Sequence, residues 1–476
     1  MQTSQPPKTH HYAWAGAIAH PAVEFPVTPL NLLSGQIPQN LRGTLYRNGP
    51  GCLQRGGEQV GHWFDGDGGI LAVKFGEKGA TATYQLVKTE GYLAEVKAGK
   101  FLFPNYGMKA PGFFWNNWLR PVKNVANTSV LALEDKLLAL WEGGHPYTLD
   151  LETLETLGLD NLGGLASRQF YSAHPKIDPQ TGEIFNFGVG ITSQLYLYKS
   201  GANGTVKQKS AFKLPGLTLI HDFALAGRYL VFFVSPMRVN LIAAALGRKS
   251  YSDAMDWKPE LGTQIFVFDK ETLALVSRST AEAWHQWHYA NGYENEAGEI
   301  VVEMVAFPDF STNQYLKEVA RGKTKTYAKG TLWRVVLNPQ TGKVISREQL
   351  CDRSCEFPVV PSSLTGQPWR YTYCCVHREN ADIRREIVSA IARFDRETTT
   401  LTVADPGENR YCSEPIYVAK EAESGWLLTV VYDSNIHRSE VWIYDSETLS
   451  ENPLCRLELP QTVPLSFHGT FSPDPR

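Results

Sequence analysis

Within the stretch AWHQWHYANGYE, from Ala283 to Glu294, two histidines stand three residues apart beside two tryptophans. A neutral imidazole can bind a metal through one ring nitrogen while a hydrogen bond fixes the other. Whether His285 or His288 does so depends on what else the chain can bring to it. Most of the twelve histidines have unpromising contexts. His10, His11 and His20 lie in a proline-rich start, His145 precedes Pro146 after a glycine pair, and His377 and His437 sit among charged residues, which predicts exposure. His62 and His285 are ambiguous. Four keep suggestive neighbours: YSAHPK (His174), LTLIHDF (His221), WHYANGYE (His288) and SFHGTF (His468). They are too far apart for a local motif such as HExxH, so spacing alone identifies no site. Four neutral imidazoles around one divalent ion would suit Fe(II), leaving up to two octahedral positions for dioxygen and a substrate or water. The ordinary alternative for each is a hydrogen-bonded core histidine.

Three carboxylates sit in apolar contexts, where an unpaired charge is expensive: Glu142 in LALWEGG, Glu356 in SCEFPVV and Glu414 in CSEPIYV. Each is either an acceptor that orients a metal-binding imidazole or half of a buried ion pair.

Residues this distant in sequence meet only if the architecture gathers them. Short apolar runs end repeatedly in one turn chemistry, Asp or Asn followed by Glu or Gln and Thr: YTLDLETLE (Asp150), KIDPQTGEI (Asp178), FVFDKETLA (Asp269), VVLNPQTGKV (Asn338), ARFDRETTT (Asp395) and WIYDSETLS (Asp445). An Asx side chain bonds backbone amides two residues on and so starts a hairpin turn. Repeated hairpins without long amphipathic helices predict an all-β propeller, whose innermost strands point at a common axis. No linker or composition shift divides the chain. Residues 1–476 therefore read as one β-propeller domain, with 1–25 as an extended N-terminal arm. Two segments, 104–124 and 235–251, cluster apolar residues between Arg or Lys, as a cap over the site or a membrane-contact patch would.

Bulk properties narrow the function further. Basic and acidic residues number 46 and 49, a net charge of −3, so nothing marks a nucleic-acid binder. No run of 18 apolar residues spans a membrane, and the start lacks a charged region followed by an apolar block. The odd count of seven cysteines, with no C-x-x-C pair, points to a reducing compartment. A cytoplasmic protein, with membrane contact at most peripheral, is expected.

Nine strings, in order along the chain, resemble one known family: GTLYRNGPG, HWFDGDGG, ANTSV, SAHPK, HDF, WHYANGYE, CEFPVV, SEPIYV and FHGTF. Together they are similar to the carotenoid cleavage oxygenases, most of all to the compact bacterial apocarotenoid oxygenases. The resemblance implies a seven-bladed β-propeller with a loop or helical cap and one Fe(II) per chain, held on the axis by His174, His221, His288 and His468. It selects His288 over His285. It makes Glu142, Glu356 and Glu414 acceptors for three of the imidazoles, leaves His174 without a carboxylate, and places Thr128 beside a vacant iron position. His62 falls outside the ligand pattern, and Asp65 and Asp67 read as turn and scaffold chemistry.

The implied reaction is scission of a conjugated C=C bond by dioxygen, the co-substrate, giving two carbonyl products. Central 15,15' cleavage of an apocarotenoid to retinal is the specific expectation. The partner is then an apolar polyene, with no protein partner implied. Trp141, Trp287 and Phe357, next to site residues, are candidates for a tunnel wall, core packing being their alternative. Phe113–Leu119 and Leu241–Leu246 would mark its mouth. Three rivals stand beside this reading. One is cleavage of a stilbene-type phenylpropanoid at the same iron, with Lys123 near the phenol oxygen; another is isomerisation with the same ligands. The last is a propeller that only binds and holds no metal.

Overall fold

The structure is a computed structural model that describes residues 12–474 apart from 114, 241, 244, 245, 421–423 and the side chain of 118. Residues 1–11 of the expected N-terminal arm, with His10 and His11, lie outside the described residues, as do parts of both apolar segments.

The turn chemistry read from the sequence forms as expected. Asp150 Oδ1 accepts from the Glu152 and Thr153 amides and the Thr153 hydroxyl, and Asp269, Asn338 and Asp445 repeat the same three contacts. Asp178 and Asp395 each accept from the amide two residues on. Each of these residues ends or follows a strand and starts the hairpin to the next one or, after Asp445, the loop to it; Asp178 does so after an inner strand and the other five after a strand farther out.

The result is an all-β, propeller-like fold with little helix; Glu90–Ala98, Asn116–Leu119 and Ser311–Val319 are the α-helices among the described residues. Seven separate blades are not what the hydrogen bonding gives. The described residues form six sheets of four or more strands, one of them eight-stranded. That sheet joins two antiparallel four-stranded runs through a single parallel pairing, Ala226 with Gly292. The join depends on close backbone approach: a Cβ at Gly292 would stand 2.9 Å from the Ala226 Cβ.

Burial follows position within a sheet. Central strands such as Tyr229–Val234 and Ile300–Phe307 are buried along their whole length, because both faces meet a neighbouring sheet. The outer strand Val206–Lys213 alternates half-buried and exposed residues. The chain ends lock the ring. Gly469–Pro473 pairs with Gly43–Cys52, while Asn31–Gly35 pairs with Cys455–Glu458, so each terminal region completes a sheet built by the other. Closure of this kind removes the exposed edges that an open stack would leave. It also sets His468, just ahead of Gly469, beside residues from the chain's start.

Candidate metal centre

The site residues sit at or close to the strands that edge the sheets on the axial side. His288 lies within His285–Glu294, and Glu356 within Cys355–Val359. Thr128 and His468 directly precede Ser129–Ala132 and Gly469–Pro473; His174 and His221 fall in the loops before Lys176–Ile177 and Ala224–Ala226. These axial strands touch one another: Ala224–Ala226 meets His285–Glu294 at the centre of the eight-stranded sheet, His285–Glu294 meets Cys355–Val359 of the next sheet, and Gly469–Pro473 meets Ser129–Ala132. Residues hundreds of positions apart therefore converge.

His174, His221, His288 and His468 bring one ring nitrogen each to within 4.8 Å of one another. The Nε2 atoms of successive pairs stand 3.0 Å (His174 and His221), 3.1 Å (His221 and His288) and 3.1 Å (His288 and His468) apart. Behind three of the rings stands a carboxylate. His221 Nδ1 meets Glu142, His288 Nδ1 meets Glu356 at 2.6 Å, and His468 Nδ1 meets Glu414 at 2.8 Å. Among the described residues no carboxylate contacts the His174 ring; its amide instead donates to Ser172 Oγ at 3.2 Å.

This arrangement fits a cation and little else. A carboxylate on Nδ1 demands the N–H there, which leaves each Nε2 with a bare lone pair. Lone pairs aimed at one another at 3.1 Å, as in the pairs of His288 with His221 and with His468, repel unless a shared positive ion stands between them. The spacing is informative as well. With metal–nitrogen bonds of about 2.1 Å, right-angled neighbours lie about 3.0 Å apart and tetrahedral ones about 3.4 Å. The observed separations match right angles, which an octahedral ion with further open positions uses.

Electrostatics favour the neutral, metal-binding form at His174 and His468. Burial and the other three imidazoles hold His174 well below the ordinary histidine range. Burial also depresses His468, against the pull of Glu414. For His288 burial acts the same way, but the Glu356 charge and hydrogen bond outweigh it and raise the ring overall. Glu414 stays below the usual carboxylate range although burial opposes ionisation, because His468 and the buried Arg47 face it.

The supporting residues include several that sequence reasoning passed over. Arg47 donates to the Glu414 carbonyl at 2.8 Å and carboxylate at 3.3 Å, to Ser466 Oγ at 3.1 Å and to the Phe467 carbonyl at 3.0 Å. Asn48 donates to the carbonyls of Ala126 and Ser129 and so fixes the Thr128 segment. Asp222 ties three histidine segments together: it pairs with Lys176 at 2.8 Å, follows His221, and accepts the Tyr289 amide at 3.0 Å. The signal was present in RN, HPK and HDF, which were read as markers and not as contacts. Ala126 and Phe357, with φ of 45° and 56°, take left-handed backbone beside Thr128 and Glu356. Such strain gathers where the surrounding structure fixes a site.

A cavity of about 110 Å³ adjoins the cluster. Thr128, Trp287 and Phe357 line it together with His221, His288, His468 and Glu356. Phe357 also stacks on His288, with centroids 5.3 Å apart. Trp141 is not part of this lining; it packs over Gly143 and Gly144. Among the described residues, neither apolar segment borders the cavity. They reach the site through Tyr106 and Tyr251, whose rings lie 5.9 Å apart and whose phenols are raised by burial and by the Glu142 charge.

The remaining residues take other places. His285 is buried 3.1 Å from Ser235 Oγ and packs on Trp287 and Phe310, outside the cluster. His62 caps a helical turn by accepting the Phe64 amide, and burial pushes it down to about 3. Asp65 accepts the amides of His62 and Gly107, the scaffold role expected. Lys123 is buried between Asp67 and Glu95, so it has no free ammonium for a phenol. His377, expected to be exposed, is buried and lines the cavity.

Known proteins place this geometry. The family model for retinal pigment epithelial membrane protein matches residues 18–473. An apocarotenoid-15,15'-oxygenase of Synechocystis sp. is 32% identical over 461 residues, covering 92% of each chain. An isoeugenol monooxygenase of Pseudomonas nitroreducens is 27% identical, over 93% of this chain and 94% of that one. The crystal structure of cobalt-substituted Synechocystis ACO superposes with a TM-score of 0.86 at 30% identity, over 97% of this chain and 98% of that chain. A metal site built from four histidines, in a chain so similar along its whole length, has one reading: the protein is an oxygen-dependent cleavage enzyme and belongs to the RPE65/carotenoid cleavage oxygenase family.

Proposed function

We propose that this chain is a nonheme iron dioxygenase that cleaves a conjugated C=C bond of an apocarotenoid to carbonyl products, at the central 15,15' bond, with retinal as one product. The observation that carries the reading is the set of four converging Nε2 atoms, three of them on rings backed by carboxylates, beside an apolar cavity. His174, His221, His288 and His468 would hold one Fe(II), and Glu142, Glu356 and Glu414 would fix three of the rings in the binding tautomer. Iron bound there supplies the activation of dioxygen that its addition to a polyene requires.

The chain's own contribution is positioning. Phe357, Trp287 and Phe64 give the cavity apolar walls, so one double bond is held at the metal and bulk water is kept out. Thr128, which shares the cavity lining with His221, His288 and His468, would limit what enters beside the metal. No acid or base beyond the ligands and their carboxylates is needed, which agrees with a largely apolar lining, some of whose polar groups are bonded within the protein. Trp287 Nε1, for example, donates to Thr312 Oγ1 at 3.1 Å. The phenylpropanoid alternative loses Lys123, which Asp67 and Glu95 already hold.

The test is aerobic turnover of an apocarotenal by iron-loaded enzyme with oxygen uptake recorded. Two aldehyde products with stoichiometric uptake are expected. Product without uptake indicates isomerisation, and neither signal, with no iron retained, returns the chain to a binding propeller.

No helix among the described residues is long and apolar enough to cross a membrane. The apolar segments suit a shallower contact: Phe113, Leu119 and Ile242 are 67%, 75% and 73% exposed. We read them as a patch that dips into a membrane where the polyene dissolves. Burying one such side chain stabilises binding by about 2 kcal/mol. Phe113→Asp with Leu119→Asp should therefore lower liposome partitioning at least about tenfold at unchanged iron content; equal partitioning refutes the patch.

A further inference from the structure

The cavity beside the metal centre has one wall that the mechanism leaves unexplained. Its lining includes Ser354 and His377, and these two residues also line a separate cleft of about 480 Å³ that opens on the outer surface. Both are buried, 6% exposed each. The partition between an apolar compartment and the outside is thus one side chain thick.

That partition is braced on both sides. The Ser354 hydroxyl lies 3.0 Å from His377 Nδ1, and His377 Nε2 stands 3.1 Å from the Glu386 carbonyl. The carbonyl requires the proton on Nε2, so the hydroxyl donates to Nδ1. Backbone bonding repeats the tie, the His377 amide donating to the Ser354 carbonyl at 3.0 Å. The Tyr315 hydroxyl shares the Glu386 carbonyl at 2.7 Å. Every polar atom of the ring is used, so toward the cavity His377 offers a fixed apolar surface. Beyond it the chemistry changes abruptly, since the outer cleft is lined by Lys329, Arg353, Arg378 and Arg384 together with Asp352 and Asp382, which pair with Lys329 and Arg384.

We propose that His377, braced by Ser354, is the end stop of the substrate cavity and sets the longest substrate arm the enzyme accepts. This rests on the polyene-cleaving reading above. A long apolar arm lying along the cavity must end at this wall, because no bonded group there can rotate away without breaking two hydrogen bonds in a dry setting. Deleting the ring joins the two compartments. Arms one isoprene unit too long could then extend into the polar cleft.

The experiment is a ladder of apocarotenals lengthened one isoprene unit at a time, with kcat and KM measured for wild type, His377→Ala and His377→Phe at matched iron content. In His377→Ala, kcat/KM for the first rejected length should rise at least about tenfold relative to the best wild-type substrate, a range typical of pocket-size discrimination. His377→Phe keeps the wall's bulk without its hydrogen bonds and should keep the wild-type limit. Should His377→Ala not fold, Val388→Phe, which fills the same cavity, must move the limit to shorter arms. An unchanged length profile in a folded, iron-replete variant overturns the end stop and leaves the function standing. A wild type that cleaves no member of the ladder overturns both.

Discussion

His288→Ala should purify without stoichiometric iron and without cleavage activity, whereas His285→Ala, three residues away, should keep its iron. The difference follows from where the two rings point. His288 Nε2 stands 3.1 Å from the Nε2 atoms of both His221 and His468, while its Nδ1 meets Glu356. His285 bonds Ser235 and packs among aromatic rings. Binding free energies of about 10–16 kcal/mol for four-ligand sites imply about 3 kcal/mol per ligand, or at least about a hundredfold in affinity. The loss is compounded because Glu356 is left half-buried with its imidazole gone. Glu356→Gln should be milder, about 10- to 100-fold in metal affinity, since the ring remains but its tautomer is no longer enforced. Elemental analysis and Co(II) titration of the three variants make the comparison. Iron retained by His288→Ala, or lost equally from His285→Ala, would remove His288 from the site.

The sequence made this contrast legible only in part. Repeated Asx turns disclosed hairpins because the side chain that starts each turn is a local signal, and all six Asx residues accept backbone amides as expected. The number of separate sheets was not readable, because the pairing of Ala226 with Gly292 depends on one close approach between segments far apart in sequence. The four histidines and three glutamates were named through resemblance. Spacing along the chain says nothing about an axis created by ring closure. His377 was misjudged because its sequence neighbours are charged; those charges line the outer cleft while the imidazole turns inward. Lys123 failed for the opposite reason: it lies close in sequence to Thr128, yet its ammonium is committed to Asp67 and Glu95. Trp141 neighbours Glu142 but folds over the following glycines, and adjacency on a chain is a poor guide to a shared wall.

Arg47 leads to the second large effect, on stability and metal binding together. Its guanidinium is almost wholly buried and joins strand Gly43–Cys52 to Glu414, Ser466 and Phe467, hence to the residues just ahead of His468. Arg47→Met conserves much of the volume and removes every one of those bonds. It leaves the Glu414 carboxylate buried with less compensation and frees the carbonyls of Glu414 and Phe467. Breaking one side of a buried pair costs about 3–5 kcal/mol. Because Glu414 is also the acceptor for His468 Nδ1, metal affinity should fall by about 10- to 100-fold. Arg47→Lys separates the two contributions. An ammonium restores the charge but cannot span several acceptors in one plane, so it should recover part of the stability and less of the affinity. Urea denaturation of the metal-free variants, with Fe(II) titration under anaerobic conditions, reads both quantities. A midpoint for Arg47→Met equal to that of wild type would show that ring closure, not this guanidinium, holds the last ligand in place.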